Sequence, residues 1–121
     1  EGSGQNLFLV RNDIIYTPPI SASVLPGITR DTIMTLAHDM GFQVKEQDLP
    51  REMLYISDEV FFCGTAAEIT PIRSVDKIAI GSGKRGPVAS ALQKAFFDYI
   101  NGAVPDRHGW LTYVDVPVAA R

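Results

Sequence analysis

The stretch FFCGTAAEITP, residues 61–71, decides how the chain is read. An apolar run over residues 60–63 stops at Gly64-Thr65-Ala66-Ala67, and a second β-rich run covers residues 69–75. Such runs, bounded by small residues, read as two strands joined by a turn. Two explanations exist for placing the least bulky residues between buried strands. One is a tight turn. The other is a ligand that must come within hydrogen-bonding distance of the backbone, where side chains would obstruct it.

Outward from this turn the chain mixes strands and helices. Residues 7–10 and 14–16 are short apolar runs separated by Arg11-Asn12-Asp13, and Asn-Asp suits a hairpin. Residues 17–26 hold three prolines and two serines and read as an ordered loop. A helix is expected from Thr29 or Arg30 to Met40, with Thr29 as N-cap, Ile33, Leu36, Ala37 and Met40 on one face, and Gly41 as its stop. A short strand with Phe42, Val44 and Glu46 on one side follows, then a brief helix opened by Pro50 and running to Ile56. Residues 77–80 return as a strand after Asp76. The strongest helical pattern runs over residues 87–100, where Val88, Ala91, Leu92, Ala95, Phe96 and Tyr99 form an apolar stripe, with Gly102 after it. Residues 104–121 carry Trp110 and other apolar residues without a clear period. The expected class is α+β or α/β, a mixed sheet or pseudo-barrel flanked by helices.

Composition narrows the possibilities. A chain of 121 residues has the length of one domain, and 45% hydrophobic with 21% charged residues supports a real core. A net charge of −3 and a pI near 5.2 argue against nucleic acid as a partner. The one cysteine, Cys63, excludes an internal disulfide and a CxxC motif. No apolar run approaches the ~20 residues of a membrane span, so no membrane is expected and a cytoplasmic setting is the default. The start EGSGQNLF has neither an initiator methionine nor a signal pattern and reads as the inside of a longer structured unit.

Several features lack the pattern that their chemistry would need. IAIGSGKRG, residues 78–86, lies between a strand and a helix as a P-loop does, but no glycine stands where the motif's first glycine belongs and Arg85 stands where Ser or Thr belongs. His38 and His108 lie far apart without neighbouring ligands, so no metal site is expected; His38 suits the negative end of its helix. Cys63 at a strand end reads as a buried small hydrophobe, and Asp58-Glu59 as a solvated strand entry. Two stretches remain. LPGITRD, residues 25–31, puts Gly27-Ile28-Thr29 at a helix start, where free N–H groups, the helix dipole and a hydroxyl favour an anion. Gly64-Thr65-Ala66-Ala67 offers a hydroxyl and consecutive N–H groups in a turn. Together they suggest one small anionic ligand held by backbone and hydroxyls.

Glu1, Ser3, Asn6-Leu7-Phe8, Ile15, Thr17, Leu25, Gly27-Ile28 and Arg30 reproduce in order a long signature. With EGSGQNLF, YTPP, LPGITRD, DEVFFCGTAAEITPIRSVD and the late Gly109-Trp110, the chain resembles the class IV, pyridoxal-phosphate-dependent aminotransferases, and among them the branched-chain amino acid enzymes. The resemblance covers nearly the whole chain. It implies fold type IV and most of the larger, C-terminal domain, with the cofactor between two domains. It also implies a homo-oligomeric parent that exchanges amino groups between leucine, isoleucine or valine and 2-oxoglutarate, or their 2-oxo acids. Glu1 would pair with the pyridine nitrogen of pyridoxal 5′-phosphate, Leu25 would pack on its ring, and Ile28, Thr29 and Thr65 would hold its phosphate. Thr65 and Ala66 would offer N–H groups to the substrate carboxylate. The resemblance puts the Schiff-base lysine, a phosphate arginine and the substrate-pocket aromatics upstream of Glu1, so no catalytic residue is expected within residues 1–121 and these residues alone are expected to be inactive. Gln5, where relatives often carry Glu, and Cys63 are departures. A D-amino acid aminotransferase or aminodeoxychorismate lyase would share the fold and cofactor, and an isolated folding or binding module is the alternative of another class.

Overall fold

The computed structural model describes residues 1–114. The end of the unpatterned tail, residues 115–121, therefore lies outside the described residues. β1 (Asn6–Arg11) and β2 (Ile14–Thr17) form the hairpin expected at Asn12-Asp13. Both turn residues take positive φ, 52° and 62°, as a two-residue hairpin requires and as Asn and Asp tolerate. β4 (Glu59–Gly64) pairs antiparallel with the other edge of β1, and β5 (Glu68–Pro71) antiparallel with β4. β3 (Gln43–Glu46) adds parallel to β2. The product is a mixed five-stranded sheet in the order β3-β2-β1-β4-β5.

The period of two along β1 and β4 sets which way the sheet faces. Phe8, Val10, Phe61 and Cys63 point into a core shared with α1 (Ile28–Asp39), through Ile33, Leu36 and Ala37, and with α3 (Pro87–Ile100), through Val88, Ala89 and Leu92. The Phe8 and Phe61 rings stack at 5.3 Å across the two strands. Leu9 and Val60 point the opposite way and are covered by Ile80, Leu49, Met53 of α2 (Glu52–Tyr55), Ile72 and Val75. Burying one such side chain contributes about 1.5–3 kcal/mol, so a one-residue slip of register would be prohibitive.

Four expectations are corrected. The strand expected over residues 69–75 divides: Ile72 donates one last bond to Val60 (2.8 Å), and β6 (Ser74–Val75) then pairs with β7 (Ile78–Ala79) in a separate ribbon. Pro71, lacking an N–H, marks the break. α1 begins at Ile28 with Gly27 as its N-cap, so Thr29 is not the cap but lies within the first turn. The cause is the preceding loop, where the Asn6 side-chain amide and the Gly27 N–H both donate to the Leu25 carbonyl at 2.8 Å and start the helix early. Met40 falls past the last helical residue and is exposed; Gly41, at φ 84°, is the stop as expected. Glu59 is not a solvated entry. It is 7% exposed and accepts the N–H groups of Val88 (3.0 Å) and Ala89 (2.9 Å), because it shares the inward face of β4 with Phe61 and Cys63.

Candidate functional site

The β4–β5 turn and the start of α1 meet at the edge of the sheet. Between them lies a hollow of about 270 Å3 lined by Leu25, Ile28, Thr29, Thr65 and Ala66, with Gly27 and Gly64 set back between them. Five of the six residues marked by the sequence thus converge. The sixth, Glu1, lines a separate hollow with Phe62 and Val75, but its Oε2 accepts the Leu25 N–H at 2.9 Å, which ties it to the loop bordering the first.

Donors without partners lie at the α1 start, where Ile28 and Thr29 line the 270 Å3 hollow. The first intrahelical bond of α1 runs from Asp31 N to Gly27 O (3.1 Å), so the N–H groups of Ile28, Thr29 and Arg30 are free among the described residues. Thr17, Thr32, Thr35 and Thr70 each spend their hydroxyl on a backbone carbonyl, whereas those of Thr29 and Thr65 have no such partner among the described residues. Thr65 and Ala66 are exposed in the turn, as are the side chains of Leu25 and Ile28. This arrangement can hold an anion through amides, hydroxyls and the positive end of a helix, with an apolar surface beside it.

The glycines explain the rest of the geometry. A Cβ on Gly27 would stand 2.5 Å from Asn6 Oδ1 and would push apart the contact that fixes the loop. A Cβ on Gly64 would stand 3.1 Å from the Gly4 carbonyl. Gly64 is therefore small because the chain itself passes there, while Thr65 and Ala66 are the turn residues left open to a ligand. The roles of Asn6 and Gly27 were not evident from the sequence. An asparagine on a strand whose neighbours are apolar was the available signal.

Other candidates do not join this group. Arg30 is buried and turned away, donating to Pro18 O (3.1 Å) and Glu46 Oε1 (2.6 Å), so it clamps the loop before α1 and brings no charge to the hollow. Burial pushes the Cys63 thiol up to about 12, which keeps it protonated and unreactive at neutral pH. Among the described residues no three His, Cys, Asp or Glu side chains gather as a metal set. His108 instead donates to Asp39 at 2.6 Å. The glycine-rich segment before α3 leads to a helix start already closed by Glu59. A neighbouring hollow of about 390 Å3 shares Ile28, Thr29 and Thr65 and is walled by Phe96, Tyr99, Trp110 and Leu111.

Residues 1–75, which contain all six marked residues, match the family described as Amino-transferase class IV. The chain belongs to that family. This class IV amino-transferase chain is 54% identical over 115 residues to the branched-chain-amino-acid aminotransferase of Escherichia coli (strain K12), a match covering 95% of the chain and 37% of the relative. The corresponding enzyme of Pseudomonas aeruginosa is 52% identical over 114 residues, covering 94% and 37%. The crystal structure of the Escherichia coli enzyme superposes with a TM-score of 0.92 at 54% identity, over 95% of this chain and 38% of that one. A T.th. branched-chain amino acid aminotransferase complexed with N-(5'-phosphopyridoxyl)-L-glutamate gives 0.90 at 46% identity, over 95% and 39%. The aminotransferase fold is thus of type IV, and the chain spans little more than a third of the length of these relatives. None of the described helices is long and apolar enough to cross a membrane.

Proposed function

We propose that this chain is most of the C-terminal, cofactor-binding domain of a cytoplasmic, homo-oligomeric branched-chain amino acid aminotransferase. That enzyme would exchange amino groups between leucine, isoleucine or valine and 2-oxoglutarate, using pyridoxal 5′-phosphate. The observation that carries the reading is the meeting of the α1 start with Thr65-Ala66, where unpaired donors line one hollow. The residues present fit the cofactor: its phosphate matches the amides and hydroxyls, and the exposed Leu25 supplies an apolar surface for a ring.

Bound there, the cofactor supplies an electron sink for a carbanion next to the amino group. The chain's residues bind and orient. Ile28 and Thr29 hold the phosphate by their N–H groups and the Thr29 hydroxyl, and Thr65 adds its own hydroxyl. The Thr65 and Ala66 N–H groups orient the substrate carboxylate. Glu1 keeps a proton on the pyridine nitrogen; its Oε2 is already oriented by the Leu25 N–H, leaving Oε1 without a partner among the described residues. Among the described residues that line the hollow there is no cation, so further neutralisation of the phosphate falls to the arginine implied by the family resemblance.

The full-length enzyme should turn over leucine with 2-oxoglutarate in a coupled glutamate assay, and Glu1→Gln should lose most of that rate because an amide cannot hold the proton on the ring nitrogen. Absence of leucine-dependent turnover in the wild type overturns the substrate. Near-normal turnover in Glu1→Gln removes Glu1 from the site.

A further inference from the structure

Two carboxylates bind the segment that follows α3 to the helices. Asp39, the last residue of α1, accepts the His108 Nε2 proton at 2.6 Å and lies 3.5 Å from Arg107 Nη1. The His108 hydrogen bond, reinforced by the charges of Arg107, His108 and His38, holds the Asp39 carboxyl below its ordinary range against a smaller opposing effect of burial. Asp106 accepts the Trp110 N–H (2.8 Å), the Leu111 N–H (3.1 Å) and the Tyr99 hydroxyl, and that hydroxyl accepts the His108 N–H at 3.0 Å. The rings are layered over this bracket. His108 and Trp110 lie 4.5 Å apart at 23°, and Trp110 and Tyr99 lie 4.8 Å apart at 45°. Contacts from α1, from α3 and from the segment itself therefore fix one indole.

Trp110 and Leu111 line the 390 Å3 hollow together with Ile28, Thr29 and Thr65. Asp31 lies in the same lining and opposes an anion in that hollow, so the hollow is a flank of the anion site and not a second one. We infer that Asp39 and Asp106, acting through His108 and Trp110, are positioning residues that hold an aromatic wall beside the phosphate end of the cofactor site. This inference rests on the function proposed above. An apolar wall at that place keeps water from the Thr29 and Thr65 hydroxyls and the α1 amides, and lower local polarity strengthens each of their contacts to a phosphate.

The test uses the full-length enzyme freed of cofactor and titrated separately with pyridoxal 5′-phosphate and with pyridoxal, which lacks the phosphate. Trp110→Ala and Asp39→Asn should weaken pyridoxal phosphate binding about two- to tenfold, the worth of an aromatic pair, and leave pyridoxal binding unchanged. Trp110→Phe, which retains a ring in the stack, should recover most of the loss. Equal weakening toward both compounds makes the segment a general support of the fold and overturns the inference, as does unchanged binding of both. Wild-type enzyme that binds neither compound overturns the cofactor reading itself.

Discussion

α1 and α3 start alike and end up with opposite chemistry. Each follows a glycine in extended conformation, Gly27 or Gly86, and neither cap residue supplies a side-chain hydrogen bond. At α3 the protein closes the helix start with its own anion: Glu59 reaches from β4 and accepts from Val88 and Ala89, so tightly that a Cβ on Gly86 would stand 2.2 Å from its carboxyl carbon. At α1 the corresponding donors stay free, beside two unspent hydroxyls and a hollow large enough for a ligand. Every helix start favours an anion. What makes a site is that the protein withholds its own.

The comparison breaks most visibly at Glu59. Glu59→Ala leaves two buried N–H groups without acceptors and removes a charge from the helix dipole, for an expected loss of about 3 kcal/mol or more. The full-length protein should show a lowered melting temperature and loss of hydrogen-exchange protection at Val88 and Ala89. Unchanged protection there means that Glu59 does not close the α3 start. The open helix start is tested at its hydroxyl. Thr65→Val keeps size and β-branching but removes one hydrogen bond to a charged group, worth about 1.5–3 kcal/mol, so pyridoxal phosphate should bind roughly ten- to a hundredfold more weakly without a change in melting temperature. Equal affinities leave Gly64-Thr65-Ala66-Ala67 as a turn and nothing more.

The smallest effect concerns Cys63, between the two regions. Its thiol is raised from 9.0 to about 12 by burial, with the charge of Arg30 acting weakly the other way. The unfolded chain therefore loses this proton before the folded one does. Its effect on stability is absent at neutral pH and becomes a progressive loss as pH rises from about 9 toward 12. Mass-spectrometric mapping after iodoacetamide treatment at mildly alkaline pH should find Cys63 unmodified until the protein is unfolded; rapid native labelling contradicts its burial.

Much of this was legible along the chain. The Asn12-Asp13 hairpin, the Gly41 stop and both long helices follow from local chemistry, since turn geometry and periodicity act over a few residues. Glu59 was legible too, because it shares its parity with Phe61 and Cys63, whereas its neighbour Asp58 is exposed and accepts the Asn12 N–H at 3.0 Å. The helix start at Ile28 was not. It depends on Asn6, which reaches the Leu25 carbonyl across 19 positions of sequence.

The order of residues by itself determined the hairpin, both long helices apart from the start of α1, the family and the two stretches that could bind an anion, because these are properties of local pattern and of signature. Tertiary structure alone decided that the two stretches share one hollow, that the glycine-rich approach to α3 leads to a site already filled, and that Trp110 stands beside Thr29 and Thr65. Each depends on which donors remain unpaired after folding. That is settled by carboxylates and carbonyls brought in from distant parts of the chain.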